Sequence, residues 1–401
     1  MKRIQQLLGR YYFQFILILC VSLTLVLSGY SVLTPLKQQA QVQVKTASYR
    51  TFADWCKNKT NLTPSAKHTV EVLLRQVRTT DCAQANKKLS SLTKLRIVGS
   101  ELVDISPLSS LTNLTELALF SNQISDIAPL KNLTKLTLLD LRYNQIKSLK
   151  DLQNLQNLKE LSLNDNQISN VNPLKYLTNL TYISLGANKI SDISPLKSLH
   201  KLTELLLSRN QISDISTLQY LTNIKTLLLG INQILDISSL KFMTNLTELY
   251  IDENQISDIS SLRFMSNLKE VDLGHNKIFD ISILYGINLT SLELTNNRIE
   301  DVSSLKFMTT LTILSLSDNQ ISDISLLKSL TKLTELYLSE NKISDVSSLK
   351  SLTSLTKLDL SNNRISDISM LDRLINVQRL YLEGNPSIDK KCPLPFYSCE
   401  Y

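Results

Sequence analysis

Residues 111–132 read LTNLTELALFSNQISDIAPLKN, and this string recurs, with substitutions, along most of the chain. Copies begin at Leu89, Leu111, Leu133, Leu155, Leu177, Leu199, Leu221, Met243 and Met265, resume near Ile287 after a one-residue contraction, and continue at Met308, Leu330, Leu352 and Leu374, fourteen in all. The step is 22 residues except once: Asn276 to Asn297 spans 21. A fixed period of this length signals stacked repeats, so it is read before any local pattern.

Within a unit, apolar residues fall at positions 1, 4, 7, 9, 14, 17 and 20. The period-2 pair at positions 7 and 9 predicts a short strand. Such a strand cannot stand alone. Stacked on the next copy, it becomes one rung of a parallel sheet, and the leucines form a core shared between neighbours. Position 12 is Asn in thirteen units: Asn122, Asn144, Asn166, Asn188, Asn210, Asn232, Asn254, Asn276, Asn297, Asn319, Asn341, Asn363 and Asn385; the first unit has Ser100. These residues sit where the chain leaves the strand. A buried amide must be satisfied, and stacked amides can bond the backbone left free at the turn, each unit serving the next. Position 16 is usually Asp, as in Asp126, Asp214 and Asp258, placed to cap a short helical turn on the outer face. One carboxylate per unit is too few for the six to eight oxygens that calcium takes.

The pattern LxxLxxLxLxxNxIxDIxxL resembles the leucine-rich repeat of the 22-residue, internalin-like bacterial class, over residues 89–388. The resemblance implies an α/β, right-handed leucine-rich repeat solenoid. It has a parallel β-sheet on the concave face, short 3-10 or irregular turns on the convex face, and ligand binding mostly on the concave side. The flanking segments FADWC, HTVEVLL and TTDC are similar to the caps of exported cyanobacterial leucine-rich repeat proteins. Neither an immunoglobulin-like domain nor a wall-sorting signal follows the last repeat, so internalin receptors are not expected to carry over.

A solenoid exposes an apolar cross-section at each end, so caps are expected at 49–88 and 389–401. Thr63-Pro64 is a helix start, and Val70, Leu73, Leu74 and Val77 then mark one apolar helix face. Cys56 and Cys82 bracket this helix. Cys392 and Cys399 close a short proline-containing loop at the other end. In an exported protein each pair reads as a disulfide; the rival, a zinc site, lacks the usual ligand spacing. Trp55 is expected to pack on the first repeat.

Residues 1–10 carry Lys2, Arg3 and Arg10 ahead of an apolar run from Phe13 to Leu27 with aromatic flanks. Residues 11–33 therefore read as an uncleaved signal anchor or as a cleaved signal peptide. The basic side stays in the cytoplasm, and the rest is exported. Residues 34–48 are a polar linker.

The net charge of +7 leans on this leader: residues 1–40 hold four bases and no acid, leaving 39 bases against 36 acids beyond. A high pI is then weak evidence for nucleic-acid binding. Eight Gly residues leave no phosphate-cradling loop, and three His give little material for catalysis or metal binding. No enzyme, cofactor or metal site is expected.

Positions 6, 8 and 10 alternate with the core leucines and face the concave side. Twelve of these 42 positions are acidic and five basic. The densest acidic group is Glu248, Tyr250, Asp252, Glu270, Asp272 and Glu293; Glu204, exposed Leu206 and Leu228, and Tyr337 extend the candidate ligand-binding face. Exposed tyrosines beside acids make a contact surface, which favours a protein or peptide partner with a basic patch and repels nucleic acid. Two readings stay open. The face binds a ligand, or its acids are inherited by repeat duplication and the protein is a self-associating envelope spacer.

Overall fold

The computed structural model describes residues 49–386 and the backbone of Cys399 and Glu400. The N-terminal segment and Cys392 lie outside the described residues, as does the Cys399 side chain, so the second cysteine pairing and the membrane segment fall outside them too. Among the described residues no helix is long and apolar enough to cross a membrane.

Three helices open the described chain: α1 (Phe52–Lys57), α2 (Pro64–Gln76) and α3 (Cys82–Ser90). Local chemistry explains each start. Thr51 and Asp54 form a reciprocal capping box at α1. The Thr63 hydroxyl accepts from the Ala66 amide at α2, with Pro64 in the first turn. Asp81 accepts from the Gln84 amide at α3. Val70, Leu73 and Leu74 are buried on one face of α2. Cys56 and Cys82 are joined by a disulfide. Trp55 meets the Tyr49 ring at a tilt, with centroids 4.7 Å apart, and packs against the core.

Each repeat then contributes one three-residue strand, from β1 (Lys94–Arg96) to β14 (Arg379–Tyr381), and β15 (Cys399–Glu400) closes the row. All pair in parallel in chain order, giving one open sheet. The register is strict: Leu227 faces Leu249, which faces Val271. The short step is absorbed without breaking it, since Glu270 pairs with Ser291 and Asp272 with Glu293. The missing residue is taken from the outer side, where Gly286 adopts φ +85°. The position-7 and position-9 side chains lie inside, and nearly every one is fully buried. The solenoid with its concave parallel sheet and convex 3-10 turns is thus the expected one.

The position-12 asparagines join the rungs. Asn144 Nδ2 donates to the Leu119 and Leu141 carbonyls, both at 3.0 Å, while its Oδ1 accepts from the Ile124 amide at 3.0 Å. The amide therefore serves its own unit and the unit before it, not the unit after, because each turn lies beside the strand end of its predecessor. Position 11 has a regularity that the sequence pattern hides. It is left-handed in all fourteen units, yet glycine only at Gly99 and Gly384. Elsewhere Ser121, Tyr143, Ile231, His275 and others bear that conformation, at about 1–2 kcal/mol each. Bonds to the next unit, such as Ser121 N to the Arg142 carbonyl at 2.9 Å, hold the turn in place.

On the outer side, the position-16 Asp accepts from the amide two residues on, as Asp258 does from Ser260 at 2.8 Å. This opens the 3-10 turn.

Candidate functional site

Strand alternation places Glu204 and Leu206 on β6 (Glu204–Leu206), Leu228 on β7 (Thr226–Leu228), and Glu248 and Tyr250 on β8 (Glu248–Tyr250). Glu270 and Asp272 follow on β9 (Glu270–Asp272), Glu293 on β10 (Ser291–Glu293) and Tyr337 on β12 (Glu335–Tyr337). Asp252 follows β8 by two residues, at position 10. The parallel register makes direct neighbours of Glu248 and Glu270, of Tyr250 and Asp272, and of Asp272 and Glu293. Tyr337 stands two rungs beyond Glu293, past Ser315. Glu204 stands two rungs before Glu248, past Thr226.

Leu206 and Leu228 are half-buried, as is Ile231, rather than exposed. Leu206 pairs with Leu228, and Leu228 with Tyr250, so adjacent rungs cover each other's flanks. They form the apolar floor beside the acids rather than protruding contacts.

The acids are held by local bonds. Tyr250 donates to Glu270 Oε2 at 2.8 Å, and Tyr337 donates to Glu335. Thr226 donates to Glu248 Oε2 at 3.3 Å. The Gly274 amide donates to Asp272 Oδ1 at 3.0 Å, and the Thr295 amide to Glu293 Oε1 at 2.8 Å. Gly230 sits at position 10 one rung before Asp252; the Asp252 carboxylate fills the space a Gly230 side chain would take. One rung beyond, the space beside Gly274 is bordered by the Asp272 and Glu293 side chains and the Thr295 carbonyl. A glycine at position 10 was the signal for this notch, and the charge pattern alone did not reveal it.

Crowding shifts these groups. Burial, and then the charge of Asp252, push Asp272 up to about 7. Burial raises Asp252 as well. Glu248 is raised by burial and by Glu270. Burial and the Glu270 bond hold the Tyr250 phenol well above its ordinary range.

Cations stand at the two ends of the face. Arg142 forks onto Asp140 at 2.9 and 2.7 Å, and Arg96 and Arg142 both lie over the Phe120 ring. Lys357 lies over Tyr337. Between Glu160 and Tyr337 the strand-face positions hold acids and no base. The ion pairs Lys94–Glu116 and Arg142–Asp140 lie away from the central acids, of which Asp252 feels the charges of His275 and Arg209.

No nucleophilic arrangement forms among the described residues. His275 Nδ1 meets Asn296 Nδ2 at 3.0 Å, and Ser315 Oγ meets Thr295 Oγ1 at 2.7 Å. No group of three or more metal-ligating side chains is found among them either.

The family described as Leucine Rich repeats (2 copies) matches residues 90–132, 112–154, 134–176, 156–198, 244–286, 309–351 and 353–395, more than half of the chain. A further Leucine Rich repeat match covers 287–303. No curated protein matches. The chain is similar to the solved structure of an internalin, InlF, from Listeria monocytogenes. Identity is 33%, over 82% of this chain and 91% of that one, with a TM-score of 0.66. It is similar at 26% identity to the leucine-rich repeat ectodomain of the plant membrane receptor kinase GASSHO1/SCHENGEN3 from Arabidopsis thaliana, solved in complex with CASPARIAN STRIP INTEGRITY FACTOR 2. That likeness covers 75% of this chain and 39% of that one, with a TM-score of 0.64. A leucine-rich repeat protein of Leptospira interrogans shares the fold at 24% identity, over 78% of this chain and 98% of that one, with a TM-score of 0.66. With its in-register rungs and its asparagine turns, the chain belongs to the leucine-rich repeat family, as an internalin-like bacterial member.

Proposed function

We propose that this is an exported protein, held to a membrane by its N-terminal segment, whose concave face binds a protein or peptide bearing basic groups. One observation carries the reading: the register crowds the central acids from Glu248 to Glu293 together, and their charges raise one another, as Glu270 does Glu248 and Asp252 does Asp272. Like charges this close repel, and a cationic partner relieves that repulsion as it binds. Tyr250 and Tyr337 supply large contact area at low entropy cost, beside the apolar floor of Leu206 and Leu228. The similar plant ectodomain, solved with CASPARIAN STRIP INTEGRITY FACTOR 2, supports a protein or peptide as the ligand class. The site works by binding rather than by chemistry.

The test is cross-linking capture from the native membrane fraction, using the full chain. Glu248→Lys, Asp252→Lys and Glu270→Lys together should reduce capture at least tenfold while thermal unfolding stays near wild type. Undiminished capture would remove the central acids from the site.

A further inference from the structure

Aromatic side chains also line the opposite side of the solenoid. Position 22, the last of each unit, lies on the convex face. In the middle of the solenoid it is Tyr220, Phe242 and Phe264 in three successive units and Phe307 two units further on. In the contracted unit between them Tyr285 stands one position earlier and meets Phe307 edge-on at 4.7 Å. Two further apolar residues, Leu235 and Phe279, occupy position 15 of the same central units, where serine is usual. All seven are 46–64% exposed.

The fold does not require these rings. Position 22 is serine at Ser198, Ser329 and Ser351, and those units have the same strand and the same 3-10 turn. Tyr176 is a lone exposed ring at position 22 two units before the run, with serine between; the continuous apolar stripe covers five central rungs of fourteen and marks a contact.

The charges flanking the stripe indicate the partner. Along the position-21 margin run Lys241, Arg263 and Lys306. Lys241 and Lys306 lie over their neighbouring rings, and among the described residues no acid forms an ion pair with any of the three. Along the position-16 margin run Asp236, Asp258, Asp280 and Asp301, each accepting from an amide of its own turn, with a serine hydroxyl added at Asp236 and Asp301. A shallow groove lined by Asp258, Asp280, Phe279 and Arg263 runs from one margin to the other. The face is apolar with one basic edge and one acidic edge, so it is complementary to itself.

We propose that this face joins two copies of the chain back to back. A two-fold axis along the solenoid lays the basic edge of each copy on the acidic edge of the other. The same rotation brings Phe242 and Phe264 toward Leu235 and Phe279. Two convex surfaces touch only near their middles, which is where the aromatic residues are. A flat anionic membrane fits less well, because the aspartate edge would repel it. The concave face stays open in such a dimer.

Sedimentation of the full-length chain in a mild nonionic detergent tests this. The expected species is a dimer. Phe242→Ser, Phe264→Ser and Phe307→Ser together should weaken it at least tenfold with an unchanged melting temperature. Lys241→Glu, Arg263→Glu and Lys306→Glu together should do the same. A monomeric wild type overturns the proposal, and so does a dimer that survives the serine changes, which would place association elsewhere in the chain. Ring-dependent binding to phosphatidylglycerol vesicles without dimerisation also overturns it, in favour of a lipid surface.

Discussion

Asp272 shows how a stacked sheet sets the chemistry of one side chain. The register puts Tyr250 and Glu293 beside it, the charge of Asp252 acts on it from the preceding rung, and neighbouring rungs screen it from water. Its carboxyl titrates near 7 instead of 3.8. Ionising it therefore costs more in the folded chain than in the unfolded one. Its contribution to stability is present at low pH and is lost as pH rises from about 4 to about 7. Asp272→Asn should remove that loss, worth roughly 1–3 kcal/mol after allowing for partial solvent screening. Unfolding midpoints at pH 5 and pH 8 check it: the fall expected of wild type should shrink in the variant, and equal falls would refute the shift. Asn254 makes a different point at the same scale. It donates to the Leu229, Ile251 and Asp252 carbonyls and accepts from the Ile234 amide. Asn254→Ala leaves these buried groups unpaired, at about 1–3 kcal/mol for each one that water cannot reach. Urea denaturation should show a lower midpoint at a similar slope.

A single rung is three residues long and has no stability of its own. Leu249 on β8 is fully buried between Leu227 and Val271, so its packing belongs to three units at once. Leu249→Ala should cost about 2–5 kcal/mol. Because neighbours share the core, amide exchange should accelerate in β7, β8 and β9 together and fade with distance. Acceleration limited to β8 would contradict a shared core. The left-handed position 11 follows the same logic: bonds from adjacent rungs hold twelve non-glycine residues in a conformation that none of them prefers.

Over the whole molecule, stacking must be stopped at its ends. The Cys56–Cys82 disulfide ties α1 to the start of α3 across 26 residues, and Phe52, Val70 and Leu73 cover the first rung's core. Replacing both cysteines by serine should lower stability by about 3 kcal/mol, the value for closing a loop of that size. The loss should appear first at the N-terminal rungs. Intact protection at β1 and at β2 (Glu116–Ala118) in the double variant would show that the cap holds without the bond.

The repeat pattern alone determined the rungs, the inward leucines, the turn asparagines and the helix starting at Pro64, because each follows from spacing and local bonding. It also indicated which residues share the concave face, since alternation in a strand leaves no choice. Other features needed the third dimension. The burial of Leu206 and Leu228, the notch that Gly230 leaves for Asp252, the elevated Asp272 and the left-handed turns all arise between residues about 22 apart. A sequence pattern shows what each unit repeats; how closely successive units press on one another, and how far they exclude water, is settled only when they stack.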